Sequence, residues 1–188
     1  MKTLCFITSN AGKILEAKQK LSVMGIDVIQ KNLGYPEIQA INLEDVAVYG
    51  VKHVQKIFNQ PFILEDAGLF IDGLDGFPGV FSAYVFHTIG CEGILKLLED
   101  LTDKTQRKAV FRSVYAYGEP DKKPRLFLGE CVGVISHNII GDHGFGYDPI
   151  FVPDGHDRTF AQMDADEKNC YSHRGKALDK LLDFFKKQ

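Results

Sequence analysis

The chain opens with a pattern of apolar and polar positions that predicts alternating strands and helices. Leu4 to Thr8 form a short apolar run. A helical pattern follows, with one apolar face formed by Ile14, Ala17, Leu21 and Met24. Gly25 is suited to end this helix, and Ile26 to Ile29 form a second apolar run. Strand, helix and strand in this order indicate a parallel α/β unit.

The next stretch predicts a second helix and a third strand. Asn42 suits the N-cap of a helix whose apolar positions are Val46, Val48, Val51, Val54 and Ile57. Pro61 precedes an apolar strand, Phe62 to Leu64, which we expect to end at the acidic pair Glu65-Asp66. The segment from Gly73 to Gly79 is rich in Gly and Pro and is typical of an irregular loop.

The second half of the chain adds antiparallel structure. Two β-rich runs, Ala109 to Tyr117 and Leu126 to Ile135, flank a turn-like segment and predict a hairpin, so the sheet should be mixed. Ser172 suits the N-cap of a last helix. Without repeats, low-complexity tracts or a linker, the 188 residues predict one domain over 1–188.

Composition narrows the class of protein but gives no function. Apolar residues make up 45% of the chain and charged residues 25%, as is usual for globular proteins. The net charge of −3 argues against nucleic acid as a partner, because such surfaces depend on Lys and Arg. The scattered cysteines (Cys5, Cys91, Cys131 and Cys170) form no C-x-x-C pair and predict reduced, largely buried thiols.

Hydropathy predicts neither a targeting segment nor a membrane partner. The first apolar run is too short for the core of a signal peptide and is followed directly by polar Ser9 and Asn10. No other run approaches the length of a membrane span. We therefore expect a cytoplasmic protein, in agreement with the scattered cysteines.

The segment Thr8-Ser9-Asn10-Ala11-Gly12-Lys13 is a candidate anion site. It joins a strand to a helix, and the free amides and positive end of a helix N-terminus favour a phosphate. Lys13 would add a mobile positive charge. The G-x-x-x-x-G-K-[ST] spacing of a P-loop is absent, and a solvated helix start explains the segment as well.

Three acidic residues form a candidate metal site. Glu65 and Asp66 follow an apolar strand, and the carboxyl ends of strands are where open α/β sheets usually bind ligands. Mg²⁺ prefers oxygen ligands and is commonly held by one or two carboxylates together with substrate phosphates. Glu37, on a predicted loop, is the natural third acid. A turn or a helix cap at Glu65-Asp66 is the alternative.

Two later segments combine residue types that bind nucleotides. In Gly144-Phe145-Gly146-Tyr147-Asp148-Pro149, glycines permit close backbone approach and rings can stack on a base, although core aromatics in a tight loop explain it equally well. Ser172-His173-Arg174-Gly175-Lys176 places two cationic side chains at a helix start, where they are locally unfavourable. Such a mismatch often marks a site. Lys168, just upstream, is either part of it or solvated.

Taken in order, six motifs resemble the inosine triphosphate pyrophosphatase family: T-S-N-A-G-K, Y-P-E, L-E-D-A-G-L, G-F-G-Y-D-P-I-F, E-K-N and S-H-R-G-K-A-L. They extend from Thr8 to Leu178. The resemblance implies an α/β fold with a mixed, elongated, twisted sheet flanked by helices, two lobes with a central cleft, and a homodimer. It also implies Mg²⁺-dependent cleavage of ITP, dITP and XTP to the nucleoside monophosphate and pyrophosphate.

The same resemblance implies roles for individual residues. Phosphate and nucleoside contacts would come from Thr8, Ser9, Asn10, Ala11, Gly12, Lys13, Lys52, Ala67, Phe145, Gly146, Tyr147, Asp148, Lys168, His173 and Arg174. Glu37, Glu65 and Asp66 would form the metal site, with Glu65 in a supporting position and Asp66 also as catalytic base.

The motifs depart from the family pattern at two places. Ala67 stands where many relatives carry Ser or Thr, which would alter a minor hydroxyl contact. Phe81-Ser82-Ala83-Tyr84 lacks an arginine that many bacterial members carry, so the role of this loop stays open.

Two other functions compete with this reading. A nucleotide-binding sensor would keep the pocket without hydrolysis, but the complete acidic set Glu37, Glu65 and Asp66 argues against it. A related pyrophosphatase that removes pyrimidine or modified nucleotides is disfavoured by Ser172-His173-Arg174.

Overall fold

The computed structural model describes residues 2–36 and 38–187. Its strands are β1 (Lys2–Ile7), β2 (Ile26–Lys31), β3 (Phe62–Ile71), β4 (Pro78–Gly79), β5 (Lys108–Gly118), β6 (Arg125–Ile135) and β7 (Phe151–Pro153). Its α-helices are α1 (Ala11–Ser22), α2 (Leu43–Val54), α3 (Ser82–Thr88), α4 (Gly90–Leu97), α5 (Ala165–Tyr171) and α6 (His173–Lys186).

Within the described residues, all seven strands belong to one open, mixed sheet. The strand order is β2-β1-β3-β5-β6-β7, with β4 paired to β3. Strand β1 is parallel to both β2 and β3, whereas β4 is antiparallel to β3 and β7 is antiparallel to β6. The predicted mixed α/β fold, with a twisted sheet and flanking helices, is confirmed.

The predicted hairpin is formed by β5 and β6, which are neighbours in the sheet. Residues 119–124 connect them, and this segment is too short for a crossover, so the strands run antiparallel. The side chain of Gln55 stabilises the turn, because its amide nitrogen donates hydrogen bonds to the carbonyls of Glu119 at 2.6 Å and Lys122 at 2.8 Å.

Strand β3 corrects one expectation from the sequence. The strand does not end at Glu65-Asp66 but continues to Ile71. Beyond the acidic pair, Leu69 and Ile71 are fully buried, and Leu69 pairs with Gly79 of β4. Apolar packing on the far side of the pair therefore carries the strand through it, and the expected loop after Gly73 contains β4.

The chain divides into two compact units, and each is discontinuous in sequence. Unit 1 comprises the described residues up to Asp66, residues 113–129 and the described residues from Arg174 on. Unit 2 comprises residues 67–112 and 130–173. The prediction of a single domain stays a prediction, as does that of a central cleft.

The core of unit 1 lies between strands and two helices. Helices α1 and α6 present apolar faces in helical spacing, and these faces pack with strand residues in one buried cluster. Its members include Phe6, Ile14, Ala17, Leu21, Val28, Ile63, Tyr115, Leu178 and Leu181. The side chains of Asn10 and Asn42 accept from the backbone amides of Lys13 and Asp45 and so cap α1 and α2.

Unit 2 has a core of its own, rich in aromatic rings. The ring centroids of Phe111 and Phe151 are 4.7 Å apart. The rings meet edge to face, which is an arrangement that aromatic pairs prefer. Helices α3 and α4 close this core through Val85, Cys91 and Ile94. Among the described residues, no helix is both long and apolar enough to cross a membrane.

A buried arginine, Arg107, holds unit 2 together and has no carboxylate partner among residues 2–36 and 38–187. The guanidinium of Arg107 donates to four backbone carbonyls: Leu98 at 2.7 Å, Leu101 at 3.0 Å, Ile135 at 2.9 Å and Ser136 at 2.7 Å. It thereby joins the chain after α4 to the end of β6. Burial lowers the pKa of Arg107, but an arginine remains charged, so these carbonyls replace water around the cation.

We expect Arg107→Lys to lower the free energy of unfolding by about 2–4 kcal/mol, because an ammonium cannot match the planar set of guanidinium donors and leaves buried carbonyls unsatisfied. Denaturant unfolding measures the loss. Arg112→Lys is the control, since Arg112 is exposed and pairs with exposed Glu130, and it should cost less than about 1 kcal/mol. Equal effects of the two substitutions would contradict the assignment.

Candidate functional site

The segment Thr8–Lys13 lies at the start of α1, as the sequence predicts. The hydroxyl of Thr8 accepts from the amide of Asn10 at 3.1 Å, and the side chain of Asn10 accepts from the amide of Lys13 at 3.0 Å. Ser9, Asn10 and Ala11 are exposed, and the first turn holds no acidic residue. The exposed N-terminal turn therefore keeps the positive potential that attracts an anion.

A buried cluster of charges lies next to this segment in unit 1. The ammonium of Lys13 is 2.7 Å from Oε2 of Glu65 and also donates to the Glu65 carbonyl at 3.0 Å. Arg174 donates through Nε to Oε1 of Glu65 at 3.1 Å and through Nη1 to Glu16 at 2.6 Å. Ser113 donates to Oε1 of Glu65 at 2.6 Å. Glu65 is thus bound from α1, β5 and α6.

The charges of this cluster keep Glu65 ionised. Burial by itself would raise the pKa of Glu65, but Arg174 and Lys13, together with the hydrogen bonds from Lys13 and Ser113, lower the pKa to about 2. The pKa of Arg174 is raised. Burial alone would lower this pKa, but the negative charges of Glu16 and Glu65 raise it by a larger amount. Two carboxylates therefore compensate the guanidinium that the sequence placed unfavourably at a helix start.

Asp66 follows Glu65 on β3 and is half-buried. Successive side chains of a strand point to opposite faces, so Asp66 is directed away from the face that Glu65 uses. It is the last residue of unit 1 on this strand, and Ala67 is the first of unit 2. Glu37 lies outside the described residues. Within residues 2–36 and 38–187, no group of three His, Cys, Asp or Glu side chains is arranged to hold a metal ion.

Unit 2 brings together a second set of the predicted residues. Lys168, on α5, forms a buried ion pair with Asp148 at 2.6 Å, and the same carboxylate oxygen accepts from the amide of Phe145 at 2.8 Å. The Lys168 ammonium lies 4.9 Å from the centroid of the Phe145 ring. Gly144 has φ +75°, and a Cβ there would overlap the Asp148 carboxylate. The loop thus depends on this glycine and this ion pair.

Tyr147 and Phe145, the two aromatic residues predicted to line the nucleoside site, have different surroundings. Tyr147 is 3% exposed, its hydroxyl donates to the carbonyl of Ser82 at 3.0 Å, and its ring packs edge-on against Phe86. Tyr147 therefore anchors the loop in the core, whereas the neighbouring Phe145 is half-buried. His173 is stacked on Phe111 with the rings 4.5 Å apart and 9° from parallel.

Lys52 is exposed near the end of α2, as the helical pattern predicts. Sequence reasoning did not single out Glu16, Ser113 or Phe111. Glu16 gives no such signal, because it lies off the apolar face of α1 and its charge is typical of a solvated position. Ser113 and Phe111 lie in a strand pattern that gives no indication of their partners.

Comparison with known proteins gives consistent matches over nearly the whole chain. A family model described as the Ham1 family matches residues 4–184. A dITP/XTP pyrophosphatase of Methanopyrus kandleri is 51% identical over 186 residues, which cover 99% of this chain and 97% of the relative. A dITP/XTP pyrophosphatase of Pyrococcus horikoshii is 50% identical over 181 residues, covering 96% of this chain and 95% of the relative.

Solved structures give the same picture. A HAM1 protein from Coxiella burnetii matches with a TM-score of 0.85 and 31% identity, covering 100% of both chains. The Ham1 protein of Staphylococcus aureus matches with a TM-score of 0.82 and 31% identity, covering 98% of both chains.

We expect Glu65→Gln to lower the free energy of unfolding at pH 7 by about 3 kcal/mol, because the pKa of Glu65 is about 2 in the folded protein against an ordinary 4.5. Because the pKa of Glu65 is lowered, its ionised side chain contributes fully to stability when the pH is above the ordinary pKa of 4.5. This contribution is lost as the pH falls from 4.5 through 2.

Denaturant unfolding of both proteins in metal-free buffer between pH 7 and pH 2 tests this expectation. The difference between them should shrink once the pH is below about 4.5. Glu130→Gln, which removes half of an exposed ion pair with Arg112, should show only a small effect. A difference that stays constant down to pH 2 would show that ionisation of Glu65 is not its source.

Proposed function

We propose, because the chain belongs to the Ham1 family, that it hydrolyses non-standard purine nucleoside triphosphates to the nucleoside monophosphate and pyrophosphate. The observation that carries this conclusion is the identity of 51% over nearly the full length to a dITP/XTP pyrophosphatase. The substrates are ITP, dITP and XTP, and their removal from the nucleotide pool prevents incorporation into DNA or RNA. The substrate is a small molecule, and neither nucleic acid nor a membrane takes part.

The triphosphate binds at the N-terminal turn of α1. Thr8, Ser9 and Asn10 form the loop before the helix, with Ala11 and Gly12 in its first turn. The exposed amides and the helix dipole supply positive potential, and Lys13 adds a full charge close to this turn. Lys52 contributes a further cation from α2, and the backbone at Ala67 adds a contact.

Most of the residues that we assign to the nucleoside belong to the second set. Phe145 and Gly146 face the nucleoside, Tyr147 supports their loop from the core, and Asp148 fixes it through Lys168. ITP and XTP carry an oxygen at the 6-position that accepts hydrogen bonds from Arg174 and His173, and Lys168 also reaches the base. ATP carries an amino donor there, and two donors that face one another leave both unpaired.

Three carboxylates of this chain are suited to Mg²⁺. Their oxygens are the ligands that this ion prefers, and one or two of them suffice when substrate phosphates complete the coordination. Asp66 and Glu37 would hold the ion, and Glu65, bound by Lys13, Arg174 and Ser113, supports them. When bound, Mg²⁺ neutralises charge on the phosphates and positions them.

Asp66 is the base in the proposed reaction. It orients a water molecule and accepts its proton as the water oxygen bonds to the α-phosphorus. The bond from that phosphorus to the bridging oxygen of the β-phosphate breaks, and pyrophosphate leaves in one piece. Positioning and electrostatic stabilisation provide the catalysis, so no covalent nucleophile is required. We place the protein in the cytoplasm as a homodimer.

We expect incubation of ITP with the protein and Mg²⁺ to release IMP and pyrophosphate in equal amounts. Chelation of the metal should abolish turnover, because clustered phosphate charges then lack neutralisation. ATP is the control, and its kcat/KM should be lower by roughly 10⁴-fold. Chromatography of the nucleotides together with a pyrophosphate assay measures the products. Stepwise release of orthophosphate through IDP would overturn the proposal.

Two substitutions separate catalysis from binding. We expect Asp66→Asn to lower kcat for ITP by roughly 10²–10⁴-fold, because it removes the base while it preserves the side-chain shape. Lys13→Ala removes a contact made in the ground state and the transition state alike, so KM should rise with a smaller fall in kcat. Steady-state kinetics at saturating Mg²⁺ measures both.

Matched controls for these variants lie close in the chain. Asp72→Asn changes an exposed acid just after β3, and Lys18→Ala removes an exposed lysine of α1; both should keep the original kinetics. If Asp66→Asn retains more than about a tenth of kcat, Asp66 is not the base, and Glu65 is tested next.

A further inference from the structure

Ser113 makes a contact that no motif of the sequence indicates. The residue lies in β5 with its side chain fully buried, and its hydroxyl donates to Oε1 of Glu65 at 2.6 Å. A serine hydroxyl has one hydrogen to donate. The only hydrogen of this hydroxyl is therefore directed at a buried carboxylate that also binds Lys13.

The two oxygens of Glu65 share the surrounding donors unevenly. Oε1 accepts from Ser113 and from Nε of Arg174 at 3.1 Å, whereas Oε2 lies 2.7 Å from the ammonium of Lys13. A donor at one oxygen draws negative charge towards it and reduces the charge that faces the other donor. Ser113 thereby weakens the attraction between Glu65 and Lys13.

This attraction matters because Lys13 has a second task in the proposed function. Its side chain retains 18% of its exposure, so the ammonium reaches the edge of the cluster, beside the N-terminal turn of α1. When a phosphate binds, the ammonium must give up part of its contact with Glu65. The tighter that contact is, the less favourable phosphate binding becomes.

We propose that Ser113 is a positioning residue of the pyrophosphatase reaction, which acts on Lys13 through Glu65 and sets how readily the lysine engages the substrate phosphates. This inference rests on the proposed function, because it takes Lys13 as a phosphate ligand. Ser113 touches no substrate and performs no chemical step.

Kinetics of Ser113→Ala provides the first test. KM for ITP should rise at least about threefold. A hydrogen bond to a charged group changes an equilibrium by roughly tenfold or more, and only part of this effect reaches Lys13 through Glu65. The value of kcat should stay within about twofold, because the contact is relieved before the transition state. Inorganic tripolyphosphate, which lacks a base, should inhibit this variant less strongly by the same factor.

Three further variants separate this role from a structural one. Ser113→Thr keeps the hydroxyl and should restore KM. Tyr115→Phe removes another buried hydroxyl two residues along β5, one without a hydrogen-bond partner among the described residues, and should leave KM unchanged. Should Ser113→Ala fail to fold, Ser113→Cys fills similar space with a weaker donor and should raise KM.

A double-mutant cycle with Lys13→Ala decides the mechanism. Without the ammonium, Ser113→Ala should change KM by less than about 1.5-fold, because coupled residues lose their interaction when either is removed. An equal rise of KM in both backgrounds would overturn the inference, as would an unchanged KM for Ser113→Ala beside a raised KM for Lys13→Ala. If wild-type protein does not convert ITP to IMP and pyrophosphate, the proposed function itself fails.

Discussion

A carboxylate without access to water must be neutralised from several directions, and Glu65 is the residue where this constraint is met. Transferring an ionised carboxylate out of water costs several kcal/mol, so the surrounding chain has to supply cations and hydrogen-bond donors at fixed positions. Around Glu65 of β3, Lys13 comes from α1, Ser113 from β5 and Arg174 from α6, and Arg174 is paired in turn with Glu16 of α1. Four distant segments are held in register by one negative charge.

The second set of residues uses the same principle on a smaller scale. Asp148 and Lys168 are each 3% exposed, and their ion pair joins the Gly144–Asp148 loop to α5. The amide of Phe145 shares the carboxylate, so the charge also fixes the backbone of the loop. A loop held in this way is preorganised, and a ligand that binds it does not have to order it.

Much of the fold could be predicted from the sequence, because local physics determines it. The cap Asn42 and the two strands of the hairpin follow from short-range patterns. The extension of β3 beyond Asp66 could not be foreseen, since Glu65 is accommodated by Lys13 and Arg174, which are distant in sequence. Short α3 and α4 carry too few apolar repeats to be distinguished from loops.

The candidate site was predictable as a set of residues but not as a set of contacts. The motifs identified Lys13, Glu65 and Arg174, and the structure brings these three together. They did not indicate that Arg174 is compensated by Glu16 or that Tyr147 lies in a core, because partners in space leave no trace in residue spacing. Glu37 lies outside the described residues, so its role as a metal ligand stays a prediction.

The division into two discontinuous units has a consequence for biosynthesis. The ribosome delivers residues 67–112 and 130–173 of unit 2 before Arg174, whereas unit 1 needs α6 to complete its core. Emerging chains fold as their units become available. The unit that contains β1 is therefore the last to be completed, and a nascent chain that stops before α6 leaves α1 and β1 without the apolar face of that helix.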